Sequence, residues 1–141
     1  MAIPRHAFML WLVFKNSLIT KERMCYWGYG GDPLCRFCCG IQECIEHLYF
    51  QCSFSRRLWR NIMLSCSITD PYVEWTEVVE CSVAKLKGRS LQTTLCKLCF
   101  ASSVYHLWRQ RNDLCHGNTP RTEECIEAQI KCEVRARILF K

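Results

Sequence analysis

The stretch P-L-C-R-F-C-C-G-I-Q-E-C-I-E-H-L-Y-F-Q-C, residues 33–52, holds five of the chain's 13 cysteines and decides how the rest is read. Cys35 and Cys38 form a C-x2-C pair, and His47 and Cys52 form an H-x4-C pair after eight intervening residues. A tight C-x2-C turn aims two sulfurs at one point, and a helix ending between His47 and Cys52 can present both to the same point. Four ligands of thiolate and imidazole type in a tetrahedron are what zinc requires. With all four positions filled by protein, no place remains for water or substrate, so such an ion is structural and not catalytic. The reading without metal is a cysteine-lined helical turn. Cys39 and Cys44 are spare thiols beside the set, and either can stand in for Cys38. Gly40 is expected where the backbone turns away from the site.

Outside this stretch the pattern is helical. Residues 4–16 read as an apolar helix opened by Pro4. Thr20 caps a short helix that carries Met24 and Trp27 and stops at the loop Gly28-Tyr29-Gly30-Gly31-Asp32-Pro33. Ser53 or Ser55 caps the next, with Leu58, Trp59, Ile62 and Met63 on one side. Asp70-Pro71 marks a turn before an amphipathic segment at 73–87. The longest pattern is 90–114, with Leu91, Leu95, Leu98, Ser102 and Tyr105 along one side. A final helix at 122–139 has Ile126, Ile130, Val134 and Ile138 at fourfold spacing, with Glu127–Lys131 and Glu133–Arg137 as i,i+4 pairs. No strand alternation competes, so the expected fold class is all-α: a small helical domain with a Cys-Cys-His-Cys loop. Residues 1–65 read as the zinc-binding helical module and residues 66–141 as a helical extension on the same core. The five tryptophans, 11, 27, 59, 75 and 108, fall one per helix except in the last, and are expected to be core.

The length of 141 residues allows one domain, and 50% hydrophobic with 23% charged residues excludes a disordered chain. An odd number of cysteines cannot all pair as disulfides. The apolar run 7–14 is followed at once by Lys15 and Asn16, without a cleavage pattern, and is too short to span a bilayer. These features point to an intracellular chain, nuclear or cytoplasmic, with reduced thiols, and away from a secreted disulfide protein. Cys96 and Cys99, a second C-x2-C inside the long helix, read as buried thiols. His6, His106 and His116 have no local partner pattern and read as surface or half-buried side chains. No glycine-rich phosphate loop is present, and Asp32, Asp70 and Asp113 are too scattered for two-metal phosphoryl transfer, so no enzyme is expected.

The order P-R-H-A-F-x-x-W (4–11), L-I-T-K-E-R-M (18–24), W-G (27–28), C-x2-C (35–38), E-C-I-E-H-L-Y-F-Q-C (43–52) and S-F-S-x-x-L-W (53–59) resembles one family. It is the zinc-binding domain that follows the reverse transcriptase in plant LINE-type (non-LTR) retrotransposons. Cys44 departs from the family's usual small hydroxyl residue. L-W-R-Q-R-N-D (107–113) resembles the Trp-x-x-Arg-Asn helix found further along in such elements. The resemblance implies a Cys-Cys-His-Cys module with one structural Zn²⁺ that binds nucleic acid, here detached from its polymerase.

Net charge is +6, and residues 1–60 hold eight Lys and Arg against four acids. Arg36, Arg56, Arg57 and Arg60 are candidates for phosphate contacts to single-stranded RNA or DNA, and Phe37 for stacking on an unpaired base. The alternative makes the arginines a solvated helix face and Phe37 a core residue. The chain is then a zinc-stabilised protein-interaction or vestigial domain. Neither a membrane nor a small-molecule substrate is expected.

Overall fold

In the computed structural model, residues 2–67 and 88–140 are described. The expected turn at Asp70-Pro71 and the helix at 73–87, with Trp75, lie outside them. The described residues form five α-helices: α1 (Pro4–Phe14), α2 (Lys21–Tyr26), α3 (Ser53–Ser65), α4 (Leu91–Cys115) and α5 (Glu123–Leu139). A single π-helical turn, His47–Gln51, precedes α3. There is no β-strand among them, only an isolated antiparallel bridge between Leu34 and Gln42. The all-α expectation holds.

The helix ends follow from local chemistry. Pro4 sits in the first turn of α1, where its missing N–H costs nothing. The helix stops at Phe14, two residues earlier than the pattern predicts, because Asn16 turns left-handed at φ 51°. Thr20, Ser90 and Thr122 cap α2, α4 and α5, each hydroxyl accepting the backbone N–H three residues on. Neither Ser53 nor Ser55 caps α3: Cys52 is the capping residue, and the Ser55 hydroxyl donates instead to the Leu48 carbonyl.

Helix α4 packs against α1, α3 and α5. Its Phe100 is a meeting point for rings from three segments, 4.9 Å from Trp59, 6.4 Å from Phe50 and 6.2 Å from Phe14. Ile126, Ile130 and Val134 of α5 are buried on the same core, as their spacing predicts. Cys66, Cys96 and Cys99 are buried thiols, behaving as small hydrophobes. Of the tryptophans, Trp59 is core and Trp108 half-buried, but Trp11 and Trp27 are 54% and 52% exposed. One tryptophan per helix therefore does not mean one tryptophan per core contact. No helix among the described residues is long and apolar enough to cross a membrane.

Candidate metal centre

Cys35 lies in a short hairpin closed by two backbone bonds, from Cys35 N–H to the Ile41 carbonyl at 2.8 Å and from Glu43 N–H to the Pro33 carbonyl at 3.0 Å. Inside it the Cys39 N–H donates to the Cys35 carbonyl at 2.7 Å, which tightens the C-x2-C turn. The sharp exit from that turn is made by Cys39 itself, in the left-handed region at φ 56°, and not by Gly40 as expected. A Cβ on Gly40 would meet only the Cys38 carbonyl, at an ordinary 3.8 Å.

The second pair is brought together by the π turn. On an α-helix, residues five apart project about 140° away from each other. Here the Cys52 N–H donates to the His47 carbonyl at 2.8 Å, an i→i+5 bond that widens the turn and swings both side chains to one side. Ligand atoms of Cys35, Cys38, His47 and Cys52 all lie within 4.8 Å of one another. The Cys35 and Cys52 sulfurs are 4.0 Å apart, and Cys38 Sγ is 3.3 Å from His47 Nε2. A zinc tetrahedron with Zn–S near 2.3 Å and Zn–N near 2.0 Å has edges of about 3.8 Å between sulfurs and about 3.6 Å between sulfur and nitrogen. The donor set and its spacing fit the ion. Cys35, His47 and Cys52 are buried and Cys38 faces solvent.

The spare thiols have other employment. The Cys39 sulfur points to the Arg36 carbonyl at 3.8 Å. The Cys44 sulfur accepts the His47 N–H at 3.4 Å. Neither sulfur is among the four that converge. Donation from the Cys35 thiol to Cys52, together with burial, pushes Cys35 well above the ordinary thiol range, and the accepting Cys52 is pulled down. Burial lowers His47 against the opposing pull of Glu43, which favours the neutral imidazole that ligates metal.

One support of this loop escaped the sequence reading. Glu43, fully buried, accepts the Lys21 backbone N–H at 2.9 Å and two N–H groups along one edge of the Arg111 guanidinium, at 2.7 Å from Nη2 and 3.0 Å from Nε. Arg111 in turn lies 4.7 Å over the Trp108 ring. Both residues stand in the quoted motif blocks, Glu43 in E-C-I-E-H and Arg111 in L-W-R-Q-R-N-D, but nothing in spacing alone pairs them.

The residues singled out for nucleic acid are dispersed in role. Arg36, Arg56 and Arg60 are exposed, and Arg36 touches the Leu114 carbonyl at 3.5 Å. Arg57 is held by the Glu123 carboxylate, with Nε at 2.9 Å from one oxygen. Phe37 is half-buried with its ring 4.7 Å from Phe54, packed on the core.

A second set of metal-capable groups is formed by His6, His106 and Glu133, from α1, α4 and α5. Both imidazoles are buried, against the expectation of surface positions; only His116 is exposed. Glu133 Oε2 is 3.2 Å from His6 Nε2 and 3.1 Å from His106 Nε2. Ser102 Oγ lies 2.8 Å from His6 Nδ1. Arg5 reaches the same carboxylate at 3.4 Å, and Arg121 faces His106 Nδ1 at 3.4 Å. A dication between two guanidinium groups is disfavoured, so this set is a polar clamp joining three helices. It also takes Glu133 away from the expected pairing with Arg137, whereas Glu127–Lys131 forms at 2.6 Å.

Three thiols and one imidazole on a knuckle and a π turn define the class: a zinc-binding module. Residues 1–59 match the family described as zinc-binding in reverse transcriptase, so this part of the chain is similar to that domain. No curated protein and no solved structure matches the chain.

Proposed function

We propose that the chain holds one structural Zn²⁺ on Cys35, Cys38, His47 and Cys52. In this reading it is a non-catalytic, nucleic-acid-binding module of retrotransposon, reverse-transcriptase-associated origin, of the plant LINE type. Residues 1–65 are the zinc module and residues 66–141 an extension that shares its core, joined through Arg111–Glu43 and Trp59–Phe100. The observation that carries the metal is the convergence of four donor atoms within 4.8 Å, from two turns with no other reason to meet. What supports nucleic acid is the similarity of residues 1–59 to a domain of reverse transcriptases, together with the positive charge concentrated in that half. The ligand is single-stranded RNA or DNA, recognised largely through phosphate.

The test has two stages. Protein purified under reducing conditions should contain one zinc per chain by elemental analysis, and Cys35→Ser with His47→Ala should contain none. Zinc-loaded protein should then bind a single-stranded oligonucleotide with an affinity that falls steeply as salt is added. Absence of zinc in the wild type overturns the metal site, and salt-independent or absent binding overturns the nucleic-acid role. The second reading, a zinc-stabilised protein-interaction domain, is favoured by the capture of Arg57 by Glu123 and of Phe37 by Phe54.

A further inference from the structure

Phe37, first singled out for base contact, is packed on Phe54, yet three large aromatic rings stand unburied in four consecutive positions. Tyr26 is 88% exposed, Trp27 52% and Tyr29 62%. They end α2 and begin the loop at Gly28, a left-handed residue at φ 85°. Backbone bonds from Gly28 N–H to the Cys25 carbonyl and from Tyr29 N–H to the Met24 carbonyl, both at 3.0 Å, fix this turn. The rings are therefore presented on a defined support. A Cβ built on Gly28, Gly30 or Gly31 would meet nothing within 4 Å, so the surface beside the rings is open.

Tyr29 is also a wall of a groove of about 480 Å³ that runs from the end of α2 to the end of α4. Besides Tyr29, its ionisable lining is Lys21, Cys25, Asp32, Arg36, Arg111 and the two groups at the α4 terminus, Cys115 and His116. Three cations face one carboxylate. Lys21 partners Asp32 at 3.8 Å and Arg111 belongs to Glu43, which leaves the exposed Arg36, held only by a 3.5 Å contact to Leu114, as the cation free to take a phosphate. Arg23 lies 5.7 Å from the Trp27 ring centroid and adds positive charge behind the platform. Aromatic faces beside a cationic groove are the combination by which proteins hold single strands without reading sequence, bases on the rings and backbone along the charge.

We propose that Tyr26, Trp27 and Tyr29 form a base-stacking platform for single-stranded nucleic acid, with Arg36 in the adjoining groove contacting its phosphates. This rests on the nucleic-acid reading above and moves its base-contacting part from Phe37 to the end of α2.

The experiment is fluorescence anisotropy of labelled oligo(dT) and oligo(U) with the full zinc-loaded chain, at several salt concentrations. Tyr26→Ala with Tyr29→Ala, and Trp27→Ala separately, should each lower affinity by about tenfold or more, while the Tyr→Phe pair keeps it. Arg36→Ala should weaken binding and reduce the salt slope by about one. Zinc content and far-UV circular dichroism of the variants should equal those of the wild type, because the replaced rings are outside the core. If the wild type binds and the platform variants bind equally well, while Arg56→Ala with Arg60→Ala does not, the platform is overturned and the nucleic-acid reading stands. If the wild type ignores both oligonucleotides at low salt, both are overturned, and the rings are left as a docking surface for protein.

Discussion

Arg111 and Glu43, 68 residues apart, form a buried bidentate ion pair that fastens the knuckle to the longest helix of the fold. Each has a further anchor: Glu43 takes the N–H at the start of α2, and Arg111 lies over Trp108. Removing one partner strands a charge away from water. Arg111→Ala should therefore cost about 3–5 kcal/mol in urea denaturation of the zinc-loaded protein. Glu43→Gln combined with Arg111→Met should recover part of that loss. A single variant as stable as the wild type would mean that the pair does not hold the loop.

The metal site makes a sharper forecast about which sulfurs matter. Cys38→Ser should lose zinc, whereas Cys39→Ser and Cys44→Ser should each retain one zinc per chain by elemental analysis. Serine at 44 can accept the His47 N–H as the thiol does. Loss of zinc in Cys44→Ser, with Cys38→Ser unaffected, would exchange their roles. Chelation should unfold the N-terminal half, since binding energies of about 10–16 kcal/mol in small zinc peptides exceed what a short loop can replace.

Acid should loosen the three-helix clamp before it protonates most carboxylates. Burial, against the opposing pull of Glu133, lowers His6 from 6.5 to about 4, and burial lowers His106 as well. The unfolded chain then takes up these protons first. The stabilisation is intact above pH 6.5 and is lost as pH falls towards 4, by about 3 kcal/mol for His6. Urea midpoints measured across this window should fall with pH. His6→Gln should flatten part of the slope; an unchanged slope would remove His6 from the clamp.

The aromatic centre gives a conventional core prediction. Trp59 meets Phe50 at 6.0 Å and Phe100 at 4.9 Å, and all three are buried. Trp59→Ala should cost about 3–5 kcal/mol by denaturation, and Trp11→Ala, on an exposed face, well under about 1 kcal/mol.

Helical periodicity located α4 and α5 to within a residue at each end, because long amphipathic segments with hydroxyl caps carry their boundaries locally. The four converging donors were legible for the same reason: a C-x2-C turn and an H-x4-C turn are local geometries. What spacing did not reveal depends on distant partners. His6 and His106 carry no local mark of burial, and only the carboxylate of Glu133, on a third helix, makes their interior positions tolerable. Arg57 looks like a solvated cation until Glu123, 66 residues on, is placed beside it. The π turn is the exception, a local feature that H-L-Y-F-Q hides because it reads as ordinary helix until its i→i+5 bond is seen.

Cys52 ends the π turn, faces Cys35 across the cluster and opens α3, the helix that carries Trp59 into the core. The backbone N–H groups of Phe54 and Ser55, in the first turn of α3, help pull its thiol down, so side chain and backbone both carry its position into the helix. The clasp and the main beam of the fold thus share one joint. Any agent that pulls on that sulfur, an oxidant or a competing thiophilic metal, acts on the phase of a whole helix and not on a surface loop, and the environment of Trp59 becomes its gauge.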